Sequence, residues 1–146
     1  MAETDVQLHD FANIFSLQGK VAVVTGGSRG LGLHSASGLL QAGCSKIFIT
    51  SRKAPACEAA VSALNALASK NNLSRRAYAI PADCSKVSSI EGLVAEVGKL
   101  TPHVDILLAN AGATWGTDSF AEVDEKNAWD KVMDLNLKGV FFTIQK

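Results

Sequence analysis

A run of closely spaced glycines carries the first chemistry in this chain. Thr25-Gly26-Gly27-Ser28-Arg29-Gly30-Leu31-Gly32 follows directly on the apolar run Val21-Ala22-Val23-Val24 and leads into a helix-like stretch. Glycine at 26 takes backbone angles closed to other residues, so a strand can turn sharply there. Gly30 removes a side chain where backbone must approach a phosphate, and Gly32 lets the next helix lie close on the strand. A helix beginning at this point turns unpaired N–H groups, and the positive end of its dipole, toward an anion. Spaced glycines alone are a weak signal; the strand before and the helix after supply the context. The segment reads as the phosphate-binding turn of a dinucleotide-binding β–α–β unit. It is not the phosphate loop of an NTPase, because no Gly-Lys-Ser/Thr follows.

The second chemical position is Thr50-Ser51-Arg52-Lys53, at the expected end of the second strand. In a dinucleotide-binding unit an acidic residue about 20 positions past the glycine turn binds the ribose 2′-hydroxyl of NAD. Here no carboxylate occurs until Glu58. Arg52 can pair in bidentate fashion with a 2′-phosphate, and Ser51 and Arg29 are placed to add donors. The residues therefore favour NADP(H) over NAD(H). The alternative for Arg52 and Lys53 is that of solvated loop charges. A methyltransferase with a similar turn is disfavoured, since those enzymes usually place an acid where this chain is basic.

These positions need strands and helices that alternate. Val21–Thr25 reads as the first strand and Leu31–Ala42 as a helix stopped by Gly43. Ile47–Thr50 is a short buried strand, and Pro55 opens a second helix through Ala59, Ala60, Ala63, Leu64 and Leu67. Arg75–Ile80 is a third strand ended by Pro81, and Ser88 or Ser89 would cap a third helix through Leu93, Val97 and Leu100. Val104–Ala109 is a fourth strand, apolar after Asp105, as befits one covered on both faces. A last helical region begins near Asp124. Alternation of this kind implies right-handed crossovers and a parallel sheet with helices on both faces. Residues 1–16 read as a leader, with Phe11, Ile14 and Phe15 packing on the domain that follows.

Composition bounds the rest. The chain has 146 residues, 47% of them hydrophobic and 19% charged, which fits one globular domain and not a disordered segment. Its 14 basic and 14 acidic residues cancel, and no basic cluster exceeds Arg52-Lys53 and Arg75-Arg76, so no nucleic-acid footprint is expected. Cys44, Cys57 and Cys84 are too few and too scattered for a disulfide framework or a zinc motif. His9, His34 and His103 have no partners that suggest a metal. The acidic N-terminus resembles neither a secretory signal nor a transit peptide, and no apolar run reaches the roughly 20 residues of a membrane span. A cytoplasmic protein without membrane contact is the default expectation.

With these motifs in order, the chain from about Leu17 to Lys146 resembles the N-terminal part of a short-chain dehydrogenase/reductase, in the branch with a single Rossmann domain. Thr25, Gly26, Ser28, Arg29, Gly30, Leu31 and Gly32 fit that family's cofactor turn. The resemblance places Asp83, with its neighbour Cys84, beside the adenine ring. It reads Asn110-Ala111-Gly112, closing the fourth strand, as the motif that lines the cofactor and steadies the sheet. It makes Asn136 the helical Asn of the catalytic tetrad, holding a water that links a lysine to a proton relay. Read locally, Asp83 could equally cap a turn, and Asn110 with Gly112 could simply end a strand. Asn at 136 is a poor helix former, which hints at a role or a kink. Trp115 reads as a packing residue, or as a border of the nicotinamide or substrate.

The family's reaction requires a Tyr acid/base, a Lys four residues later and a Ser upstream. Tyr78 is the one tyrosine here; it precedes Asp83, and Ala82 stands where the Lys should be. The resemblance thus covers a cofactor half, and the 146-residue chain is expected to be inactive alone. In full-length form it implies a small carbonyl or alcohol substrate and a homo-oligomer. A 3-oxoacyl thioester, a sugar, a steroid or a small polyol all fit. The alternative is a short protein that binds NADP(H) or modulates a full-length reductase. With strand order 3-2-1-4, Ile106-Leu107-Leu108 would form an open apolar edge and Phe141, Phe142 and Ile144 would lack cover. Marginal stability or self-association is the expected result.

Overall fold

The computed structural model describes residue 10 and residues 13–74 and 76–146. Four parallel strands form one sheet in the order β3-β2-β1-β4: β1 Val21–Thr25, β2 Lys46–Thr50, β3 Arg76–Ala79 and β4 Ile106–Ala109. Thr25 lies level with Thr50 on one side and with Ala109 on the other, so three strand ends open at the same edge of the sheet. The expected strand order is found. Phe11 and Arg75, the proposed start of the third strand, lie outside the described residues.

Alternation along the strands feeds two cores. Ala22, Val24, Ile47 and Ile49 pack with Ala36 and Leu40 of α1 (Gly30–Ala42) and with Cys57, Ala60, Leu64 and Ala68 of α2 (Ala54–Lys70). Val21, Val23 and Phe48 face the other way, onto Leu93 and Val97 of α3 (Val87–Gly98). A strand with helices on both faces must be apolar on both, and all five residues of β1 are buried. Tyr78 belongs to this second core, stacked on Phe48 with ring centroids 5.3 Å apart. The fold is Rossmann-like.

Local signals fix most boundaries. Gly43 ends α1 at φ 131, its N–H bonded back to the carbonyls of Leu39 and Leu40. Pro55 sits in the first turn of α2, where its missing N–H costs nothing. Asp105 ties β4 to β1: its carboxylate accepts from the Val21 N–H at 2.8 Å and from Lys20 Nζ at 3.0 Å. The outer edge of β3 is partly covered by Asn65, whose amide exchanges two hydrogen bonds with the Ala77 backbone.

Three expectations need correction. Neither Ser88 nor Ser89 caps α3; the helix begins two to three residues earlier, behind Lys86, and Ser89 Oγ instead accepts from the Asp83 N–H. The fourth strand starts at Ile106, not Val104, and is not fully covered on both faces: Ile106 and Leu108 pack, partly buried, against the α1 side, while Leu107 on the other face is exposed. Ile14 and Phe15, expected to pack on the domain, are exposed. The last helical region is found where expected, over 125–145, with turns of mixed type. Asp124 caps it by accepting from the Asn127 N–H, and π-helical turns at Glu125–Asp130 and Asp134–Gly139 alternate with α-helical Lys131–Met133 and Val140–Gln145. Along it Leu137, Phe141 and Ile144 are exposed, and Phe142 is partly covered.

Candidate functional site

The carboxyl ends of β1, β2 and β4 enclose a cleft of about 390 Å³. Gly26, Ser28, Arg29, Gly30, Leu31, Gly32, Ser51, Arg52, Cys84, Asn110, Ala111 and Gly112 line it, together with Ala82, Ala113 and Leu135. Residues from five separate stretches of sequence thus meet at the strand ends, where open α/β sheets bind ligands. A larger cleft of about 460 Å³ lies at the opposite end of β4, between α3 and the last helix. It has no glycine turn and no helix N-terminus, so the chemistry belongs to the smaller one.

The glycine turn shows why each glycine is needed. Gly26 (φ +64) and Gly30 (φ +54) occupy the left-handed region. A Cβ on Gly30 would meet nothing within 4 Å, since that position faces the open cleft. Gly32 is the crowded one: a Cβ there would lie 2.6 Å from Asn110 Nδ2 and closer still to the Gly26 carbonyl oxygen. Its requirement is thus room for the Gly26 carbonyl and the Asn110 amide, more than contact of helix with strand. Helix α1 starts with no side-chain cap and no acid in its first turn, which leaves its first N–H groups free to receive an anion.

Asn110-Ala111-Gly112 works as a clasp. Asn110 Nδ2 donates to the carbonyls of Thr25 (3.0 Å) and Gly26 (3.3 Å), and the Ala111 N–H donates to Thr25 Oγ1 at 2.9 Å. Thr25 therefore stands beneath the cleft as a buried support and does not line it. Asn136 does not line the cleft either, although its neighbour Leu135 does. Its side chain pairs with Ala113 in both directions: Nδ2 donates to the Ala113 carbonyl and Oδ1 accepts from the Ala113 N–H, each at 2.8 Å. That pairing falls inside the π-helical turn Asp134–Gly139, the type of irregularity that often marks functional positions.

Asp83 is half-buried outside the cleft lining. Its Oδ1 accepts from Ser85 Oγ at 2.7 Å and from the Ser85 N–H at 3.1 Å, an Asx turn. Burial raises its pKa, but the Ser85 hydrogen bonds, Lys86 and Arg52 outweigh it and hold the carboxylate below its ordinary range. Arg52 is thus close enough to be felt at Asp83 from across the strand ends. Cys84 is buried, and burial with the adjacent Asp83 charge pushes its thiol up to about 11, so it is a neutral wall and not a nucleophile. Sequence inspection missed Ala82, Ala113 and Leu135. Only the spacing of Ala113 and Leu135 next to Gly112 and Asn136 hinted at them.

The residues from 20 to 146 match the model of the short chain dehydrogenase family. The chain belongs to the short-chain dehydrogenase family. It is 42% identical over 132 residues to the rhamnolipids biosynthesis 3-oxoacyl-[acyl-carrier-protein] reductase of Pseudomonas aeruginosa, covering 90% of this chain and 48% of that protein. It is also 42% identical over 135 residues to 2-dehydro-3-deoxy-D-gluconate 5-dehydrogenase of Escherichia coli, with coverage of 90% and 47%. The fold matches the Pseudomonas aeruginosa RhlG/NADP active-site complex with a TM-score of 0.78 at 42% identity, over 90% of this chain and 47% of that one. A metagenomic short-chain oxidoreductase in complex with NADP matches at 26% identity, again with a TM-score of 0.78, over 88% of this chain and 54% of that one. This short-chain dehydrogenase spans about half the length of the curated relatives it matches. Relatives differ in cofactor; one, from Listeria innocua, is an NAD-dependent glycerol dehydrogenase at 33% identity, covering 92% of this chain and 48% of that protein. Among the described residues no helix is long and apolar enough to cross a membrane, and no cluster of three or more His, Cys, Asp or Glu could hold a metal.

Proposed function

We propose that the chain is the cofactor-binding part, 17–146, of an NADP(H)-dependent carbonyl reductase or alcohol dehydrogenase. The observation that carries this is the charge of the cleft lining: two arginines, Arg29 and Arg52, and no carboxylate. A 2′-phosphate would be repelled by an acid at the end of β2 and is attracted by Arg52, with Ser51 beside it. The free N–H groups opening α1 and the empty space at Gly30 fit a pyrophosphate. Cys84 borders the adenosine end, and Asp83, next to it in sequence, stays outside the lining. Asn110, Ala111 and Gly112 form the floor toward the reactive end. When bound, the cofactor would supply a hydride to a carbonyl carbon or accept one from the carbon bearing an alcohol hydroxyl.

The chain's own residues then bind, orient and hold protons in place. Asn110 locks the turn to β4, so the N–H groups of α1 keep their aim. Asn136, through Ala113, fixes the backbone where the reactive end would lie, and it serves a proton relay completed by a Ser and a Tyr-x-x-x-Lys. Without those groups the 146 residues alone are expected to give no turnover. Calorimetric titration of the chain with NADPH and NADH tests the binding. NADPH is expected to bind at least tenfold tighter, about 1.4 kcal/mol, as for one charge-assisted hydrogen-bonded pair. Equal affinities, or an unchanged ratio in R52A, would refute the assignment of Arg52.

The exposed stripe Leu137, Phe141 and Ile144 beside the open β4 edge favours a second reading. In it the chain pairs through this face with a full-length reductase, or with itself. Sedimentation of the chain as a single concentration-independent monomer would count against it.

A further inference from the structure

We propose that Cys57 is a positioning residue for the cofactor's 2′-phosphate: its sulfur closes the loop that carries Arg52 and so holds that arginine at the cleft. The inference rests on the NADP(H) reading above, and it gives part of that selectivity to a side chain outside the cleft lining.

Strand β2 ends at Thr50 and α2 begins at Ala54, so Arg52 is the middle residue of the short connection Ser51-Arg52-Lys53. Both ends of that connection are tied down. At the far end the Lys53 carbonyl accepts from the Ala56 and Cys57 N–H groups at 3.1 and 3.2 Å, in the first turn of α2. At the near end the Ser51 carbonyl accepts from the Ala82 N–H at 3.1 Å and from the Cys57 thiol at 3.6 Å. The Ser51 hydroxyl lies 3.1 Å from the same sulfur. A thiol has one proton, so with that proton on the carbonyl the Ser51 hydroxyl donates to sulfur. One side chain of α2 thus engages two polar groups of Ser51, and the loop is pinned across Arg52.

Cys57 is completely buried, in the same core as Ala60 and Leu64. An apolar side chain would fill that space equally well. It would not supply a donor and an acceptor to Ser51. The consequence lies in binding entropy: a guanidinium on a short connection pairs with a phosphate at lower cost when the backbone on both sides is already fixed. The uncharged 2′-hydroxyl of NAD(H) gains little from Arg52 and is indifferent to how firmly it is held.

The test is calorimetric titration of the protein at the length its gene encodes, with NADPH and with NADH, and with circular dichroism melts to show that each variant is folded. C57V keeps the side-chain volume and removes its hydrogen bonds. It should weaken NADPH by roughly three- to tenfold and NADH by less than about twofold. C57S keeps a donor and an acceptor and should retain most of the NADPH affinity; C57A replaces C57V in the comparison should the valine prevent folding. In an R52A background C57V should change neither cofactor, because the loop then has no charge to hold. Core strain would instead weaken both cofactors and persist without Arg52. Equal losses for NADPH and NADH, no loss of NADPH, a C57S as weak as C57V, or the same loss in R52A would overturn the inference. A wild type that prefers NADPH, with R52A abolishing the preference and C57V leaving it intact, would sink this inference alone. A wild type that binds NADPH no tighter than NADH would overturn the cofactor assignment, and this inference with it.

Discussion

Two glycines of one helix, Gly32 and Gly38 of α1, should respond to alanine with opposite signs. Gly38 has nothing within 4 Å of a Cβ, so G38A gains only helix propensity, about 1 kcal/mol. Gly32 is enclosed: its Cβ would stand 2.6 Å from Asn110 Nδ2 and nearer to the Gly26 carbonyl. Neither neighbour can yield freely. Moving Asn110 breaks its bonds to the Thr25 and Gly26 carbonyls, and moving Gly26 disturbs a residue held at φ +64. Overpacking costs about 1–3 kcal/mol and each lost hydrogen bond about 0.5–1.5 kcal/mol, so G32A should lose roughly 2–4 kcal/mol. For a chain of this size that lowers Tm by roughly 6–12 °C. Urea unfolding followed by circular dichroism measures both variants, with calorimetric NADPH titration beside it. G32A should also bind NADPH more weakly, since the N–H groups of the first turn lose their aim. If G32A proved as stable as G38A, the close approach of turn, helix and Asn110 would not exist as described.

Other outcomes follow from the same contacts. N136A removes two hydrogen bonds to Ala113, about 1–2 kcal/mol of local stability, so the Ala113 amide should exchange with solvent roughly tenfold faster while the sheet amides stay unchanged. Asp105 is held below its ordinary pKa of 3.8 by the Val21 N–H first and by Lys20 next. A depressed carboxylate stabilises fully above its unfolded value and loses that contribution as pH falls through the folded one, so stability should drop below about pH 4. D105N, which keeps an acceptor for Val21, should flatten that acid limb in urea melts taken from neutral pH downward; an unaltered slope would disprove the assignment. Cys44, Cys57 and Cys84 are buried thiols, and Cys84 is raised to about 11, so a thiol reagent at neutral pH should label none in the native protein and all after denaturation.

The sequence by itself determined the order of strands and helices, the glycine turn and its neighbours in the cleft. These were legible because they rest on local physics: apolar alternation, a proline in a first turn, glycines where φ is positive. The place of Arg52 in the cleft, with no acid beside it in the lining, was likewise readable, since its distance from the turn is a fact of spacing. Long-range contact decided the rest. Ser89 was spaced to cap α3, but the Asp83 N–H claimed its hydroxyl, and a cap is only as good as its competitors. Asn136 hinted at a kink; that the kink is a π-helical turn drawn onto Ala113 depends on a residue 23 positions away. Gly32 looked like a helix–strand contact and proved to make room for Asn110, which only the closing of β4 onto β1 brings there. Local conformation follows from the few atoms adjacent along the chain, whereas which polar group finds which partner is settled only when distant segments compete for the same space.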